Sequence, residues 1–235
     1  MDEFFGRYPE LLADWLPRML GGTVVTLELV ALSMVFGLLL AVPLALARVS
    51  PRPWLRMPAY LYILLFRGTP LLVQIFVIYY GLGQFESVRA SILWPYLREA
   101  WVCAILAFSL NTAAYVGEIL RGGIEAVPQG EKEAAVALGM GAWLRYRRII
   151  LPRAFRLTLP ALSNEAVLLL KASVLASTIT IMDLMGVTRL ANARTYASIQ
   201  VFTIAGAIYL ILAVVIARLF RLVERRANRY LQRTS

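Results

Sequence analysis

Residues 24–47 read VVTLELVALSMVFGLLLAVPLALA, from Val24 to Ala47, with Glu28 as the only charge. A helix needs about 20 mostly apolar residues to cross a bilayer, and this stretch supplies them. The rest of the chain is of the same kind. Of its 235 residues 60% are hydrophobic and 16% charged, against about 25% charged in a soluble domain. Lipid is the natural solvent for such a composition. Four further stretches qualify as spans. Gly68 to Phe85 and Ala100 to Gly117 carry no charge, Leu157 to Met182 is interrupted by Glu165 and Lys171, and Thr195 to Ala217 is again uncharged. The expected fold is an all-α integral membrane protein with five transmembrane helices in one domain, residues 1–235.

The net charge of +10 has two rival explanations, nucleic-acid binding and membrane topology. Its distribution favours topology. Sixteen bases fall in the first loop (Arg48, Arg52, Arg56), the third (Arg121, Lys132, Arg145, Arg147, Arg148, Arg153, Arg156) and the tail (Arg218 to Arg233). The N-terminal tail, second loop and fourth loop hold six: Arg7, Arg18, Arg89, Arg98, Arg189 and Arg194. By the positive-inside rule the base-rich side is cytoplasmic. The N-terminus is then outside and the C-terminus inside. Met1 to Arg18 contains Asp2, Glu3, Glu10 and Asp14, so it lacks the basic start of a cleaved signal. The apolar stretch before Ala45-Leu46-Ala47 is too long for a signal core and reads as a retained helix. No histidine and the lone Cys103 argue against a zinc or haem site.

The longest cytoplasmic segment, about residues 125–156, looks ordered. Glu131 to Tyr146 reads as short helix, glycine break, short helix: Glu133, Ala134, Ala135 and Ala137 favour helix, and Gly139 and Gly141 interrupt it. The order Glu133-Ala134-Ala135, then Gly139, Ile149, Leu151 and Pro152 is similar to the EAA signature of ABC importer permeases. That resemblance implies a coupling helix between the third and fourth spans that docks on an ATP-binding subunit. Other stretches resemble the polar amino-acid branch of the family: Gly22-Thr23 to Leu29, Arg67-Gly68-Thr69-Pro70 through Gln74, Tyr79-Tyr80-Gly81-Leu82, Asn111 to Tyr115, Glu118 to Ile124, and Leu159-Pro160 through Glu165 to Lys171. Gly130-Glu131, the outer loop Phe85 to Arg98 and Ala191 to Tyr196 resemble in particular the M-type subunit of histidine/lysine/arginine/ornithine and opine permeases. Lys171-Ala172-Ser173-Val174 departs from the Lys-Gly/Asp-Thr-Ser of many relatives. The resemblance implies a bacterial inner-membrane permease that moves polar, by preference basic, amino acids or opines inward. A glutamine/glutamate-type permease is the alternative within the family.

Charges inside lipid are costly and usually face a bundle interior or a cavity. Glu118 and Arg121 read as an ion pair on one helix or as a contact to the coupling region. Glu165 reads as meeting a neighbouring cytoplasmic segment, and Glu28 as reaching the outer interface. Asp183 should sit near the outer side, where its carboxylate can meet a cationic substrate group; a helix cap or a pair with Arg189 is the rival reading. Lys171 reads equally as a tie between helices or as a lining group. Gln74, Asn111, Thr112 and Ser177 are further lining candidates, although helix-to-helix hydrogen bonding is the commoner use of such residues.

Two other classes of function compete. Lys171 with Ser173 or Ser177 suggests a serine–lysine dyad, but spacings of two and six point the groups apart on a helix. A passive channel needs a selectivity filter, and none is evident. The chain has no G-x-x-x-x-G-K-[ST] phosphate loop, so it is expected to be no enzyme and to bind no cofactor. ATP and Mg belong to a partner. The resemblance implies two ATP-binding subunits, a second permease subunit (a distinct homologue, or else a second copy) and an external solute-binding protein.

Overall fold

A computed structural model describes residues 8–227. Every regular element among them is helical. The apolar run from Val24 continues a helix that starts much earlier: α1 spans Tyr8–Arg48 and stops where Val49-Ser50-Pro51 turns the chain. α2 (Pro53–Gly68) begins with proline at its first turn, where the missing N–H costs nothing. α3 (Leu71–Phe76) passes into a π turn, Val77–Gly81, and a 3-10 turn, Leu82–Gln84. Two short helices follow, α4 (Glu86–Arg89) and α5 (Trp94–Leu97), before the long α6 (Ala100–Glu125). Then come α7 (Gln129–Ala137), α8 (Ala142–Arg145), a π turn at Tyr146–Ile150, α9 (Leu151–Ala172) and a 3-10 run, Ser173–Ile179. α10 (Leu184–Thr195) and α11 (Ser198–Ala227) close the series.

Four of these helical stretches are long and apolar enough to cross a membrane, and five if one bent pair counts as a single span. That pair corrects the second expected span. Gly68 to Phe85 is no single helix, and Arg67-Gly68-Thr69-Pro70 does not open one. α2 ends there, and α3 leaves at a bend of 103°. Thr69 is extended (φ −116°, ψ 144°), the conformation a following proline imposes. Arg56, expected in the first loop, therefore lies within a helix. The fourth span also starts earlier than Leu157, because the chain is helical from Ala142. The expectations for Met1, Arg7, Arg229, Arg233 and Ser235 lie outside the described residues.

The chain divides into two compact units. The first comprises Met1–Met34, Leu71–Phe108 and Val167–Val215. Its core joins Leu11, Trp15 and Met19 of α1 to Leu184, Val187 and Ala191 of α10 and to Ala197 and Val201. Gly22 lets α1 meet the Asp183–Leu184 backbone, which a Cβ there would touch at 2.9–3.0 Å. One turn on, Thr26 Oγ1 donates to the Gly22 carbonyl (3.1 Å) and accepts from Leu184 N–H (3.0 Å). In the 3-10 run, the hydroxyls of Ser173, Ser177 and Thr178 each donate to the carbonyl three residues back. Left-handed Thr180 (φ 70°) ends the run.

The second unit comprises Val35–Pro70, Ser109–Ala166 and Ile216–Ser235. Small residues again bring helices close, as in membrane bundles generally. Gly37 of α1 abuts Thr112 of α6, and Gly123 of α6 abuts Thr158 and the Ala154 carbonyl of α9. α2 is tied to α6 by Tyr62 Oη donating to Leu110 O (2.7 Å) and by Asn111 Nδ2 donating to Phe66 O (3.2 Å).

Candidate functional site

The signature residues Glu133, Ala134 and Ala135 occupy the second half of α7. The helix ends in a closing motif whose geometry accounts for the spacing to Gly139. Gly139 N–H donates to Val136 O (2.9 Å) and Met140 N–H to Ala135 O (3.0 Å). These are the paired bonds of a Schellman end, and they require a left-handed residue at the first position beyond the cap. Gly139 supplies it with φ 72°. Ala135 is fully buried, whereas Glu133, Ala134 and Gly139 are exposed. Gly141 then leads into α8, which continues through Ile149 into Leu151-Pro152 at the start of α9.

The hairpin α6–α7–α8–α9 is fixed at both ends. Glu131 of α7 and Arg153 of α9 form an ion pair (3.4 Å). Lys132 Nζ donates to Glu125 O at the end of α6 (3.5 Å). Ile150 and Ala154 are buried. What the hairpin presents is apolar: Val136 is 54% exposed, Leu138 80% and Trp143 73%. Sequence reasoning singled out the signature but gave none of these three an outward-facing role. The signal available was an apolar residue on each side of the glycine break, in a segment otherwise rich in charge.

The lining candidates are distributed over both units. Asn111 and Thr112 belong to the second unit, and Gln74, Lys171, Ser177 and Asp183 to the first. Two pack helices together and a third makes a local bond. Asn111 ties α6 to α2, Thr112 packs on Gly37, and Ser177 bonds Val174 O. Gln74 is buried and Lys171 exposed. Asp183 is 0% exposed and caps α10: Oδ1 accepts from Gly186 N–H at 2.8 Å. Its Oδ2 has no hydrogen-bond partner among the described residues. The cap reading of Asp183 is thus observed, and no ion pair with Arg189 is seen among the described residues.

The expected Glu118–Arg121 pair forms, at 2.7 Å. It belongs to a larger network that sequence spacing did not reveal. Arg48 Nε reaches the other Glu118 oxygen at 3.0 Å, and Arg121 also holds Glu125 at 2.6 Å. Glu165 is buried, and Arg67 of α2 is a basic group whose charge reaches it.

Apolar helices able to cross a membrane, joined by a pinned helical hairpin, mark an integral membrane protein. Residues 33–229 match the family model described as the binding-protein-dependent transport system inner membrane component, and the chain belongs to that family. It is 50% identical over 227 residues to the octopine transport system permease protein of Rhizobium radiobacter, covering 94% of this chain and 93% of that one. It is 45% identical over 206 residues to the histidine/lysine/arginine/ornithine transport system permease protein of Salmonella typhimurium, covering 87% and 88%. Among solved structures, an amino acid ABC transporter crystallised with histidines aligns with a TM-score of 0.80 and 36% identity, covering 92% of this chain and 96% of that chain. The protein is therefore an inner-membrane permease subunit of an ABC importer, a system that works with an ATPase and a solute-binding protein.

Proposed function

We propose that this chain forms part of the path by which an ABC importer carries basic amino acids or opines inward by alternating access. The α7–α8 turn is its coupling element. The observation that carries this reading is the turn itself: Val136, Leu138 and Trp143 face outward from a hairpin whose base is fixed by Glu131–Arg153 and by Gly123 against Thr158. An exposed apolar cluster on a rigid support suits docking onto another protein. Motion of the docked ATPase then enters the spans without being lost in a loose loop. ATP and Mg are held by two copies of that ATPase, and this chain carries out no covalent step. A distinct homologous permease subunit completes the membrane pair. The distribution of bases supports the hairpin on the cytoplasmic side, the N-terminus outside and the C-terminus inside.

Asp183 is the residue proposed to face the cationic group of the substrate. One of its oxygens is used for capping and the other has no hydrogen-bond partner among the described residues. The resemblance to octopine and histidine/lysine/arginine/ornithine permeases supports a cationic substrate. Binding of candidate amino acids and opines to the cognate external protein tests the substrate class; selective binding of neutral or acidic amino acids would refute it. The coupling role is tested by co-purifying the ATPase with the Leu138→Asp and Trp143→Ala permeases. Each variant should weaken association about tenfold, as expected for truncating a buried anchor. Full retention of the ATPase by both would remove the turn from the interface.

A further inference from the structure

Of the buried polar atoms without a hydrogen-bond partner among the described residues, two share one neighbourhood of the first unit: Asp183 Oδ2 and Tyr209 Oη. The Asp183 charge acts on the Tyr209 hydroxyl, and the Thr26 and Ser173 hydroxyls flank it. Thr26, Ser173 and Asp183 are each 0% exposed, and Tyr209 packs against the core that holds Leu184 and Val187. The four residues come from four elements: Thr26 from α1, Ser173 from the 3-10 run, Asp183 from the cap of α10 and Tyr209 from α11. Polar groups shut away from solvent are costly unless hydrogen-bonded. Two of them left open at the meeting point of four elements mark a site for a guest.

The bonds already made decide what the guest is. Thr26 Oγ1 donates to Gly22 O and accepts from Leu184 N–H, so it is largely used. The Ser173 proton goes to Leu170 O, which leaves its oxygen able only to accept. Asp183 Oδ1 takes Gly186 N–H, and an ionised Oδ2 can only accept. Tyr209 Oη has a proton to give. The site thus offers two acceptors and one donor. A metal ion such as calcium or magnesium takes six or more oxygens, and three are available. One water matches the set, and three hydrogen bonds are typical of a buried water. We propose that Thr26, Ser173, Asp183 and Tyr209 enclose a binding site for a single water, which donates to Asp183 Oδ2 and Ser173 Oγ and accepts from Tyr209 Oη. The water ties α11 to the break between α9 and α10 and fixes the free carboxylate oxygen. It does not depend on the proposed contact of Asp183 with substrate.

The test is an electron cryomicroscopy map of the assembled importer in nanodiscs, without substrate, at a resolution that shows ordered water. One peak is expected at about 2.6–3.2 Å from Asp183 Oδ2, Tyr209 Oη and Ser173 Oγ together. Tyr209→Phe keeps the ring and removes the donor, and its map should lose the peak. A direct bond from Tyr209 Oη to Asp183 Oδ2 with no peak beside it would overturn the proposal. So would a peak that keeps its full strength in Tyr209→Phe. A peak ringed by five or six oxygens, and lost when sodium is exchanged for choline, would be a metal ion and would also overturn it. The map of the unchanged complex decides even if the variant fails to assemble.

Discussion

At Gly139 the backbone adopts φ 72° with nothing within 4 Å of where a Cβ would stand. A side chain there meets no steric wall inside this chain, so its penalty is conformational. Alanine should cost about 1 kcal/mol, while asparagine, which tolerates left-handed geometry, should cost little. Substrate moved per ATP hydrolysed by the reconstituted importer checks this. Gly139→Asn should stay near the unchanged ratio and Gly139→Asp should uncouple; a coupled Gly139→Asp would deny the loop its role. Asp183 offers a second test on single atoms. Asn keeps an oxygen for the Gly186 N–H, so the cap should survive and the protein should insert normally. Uptake of an arginine-like substrate should fall about tenfold more than that of a neutral one, measured with saturating binding protein. Equal losses would make Asp183 structural only.

The helices divide into those that the amino-acid pattern announces and those it conceals. The apolar runs behind α1, α6 and α11 were legible because uncharged windows of span length have few other uses. The α7 break was legible because its glycine has a local job, closing a helix. α2 was not legible: Arg56, Pro58 and Arg67 make it read as loop, and Arg67 stacks on Tyr115, 48 positions later. Arg48 with Glu118, and Thr26 with Leu184, were hidden for the same reason, since separations of 70 and 158 residues leave no periodic trace. The Gly123 crossing shows what such a contact is worth. A Cβ would press on the Thr158 side chain and stand 3.0 Å from the Ala154 carbonyl. Gly123→Val should therefore destabilise the hairpin by about 1–3 kcal/mol and lower the coupling ratio. Unfolding temperature and ATPase stimulation, read together on the assembled complex, check both effects, and an unchanged pair of values would show that α6 and α9 can separate without consequence.

For the whole molecule, the sixteen bases against six lead to an expected placement of the termini. Reporter domains fused before Met1 and after Ser235 should be active on opposite sides of the membrane, the first outside; both active on one side would exclude five crossings. The bend after Gly68 also bears on how the protein is made. α2 has 16 residues and is about 24 Å long, shorter than the roughly 30 Å hydrocarbon layer. A ribosome that has delivered the chain only as far as Gly68 has therefore not delivered a complete stop signal, and the translocation channel must hold α2 until the segment beyond Pro70 arrives. Nascent chains arrested with Gly68 clear of the channel should still be extracted by mild alkali or urea, and those arrested beyond Gln84 should resist. The expected consequence is a waiting step in the biogenesis of this subunit, its length set by how soon the ribosome translates Leu71 to Gln84.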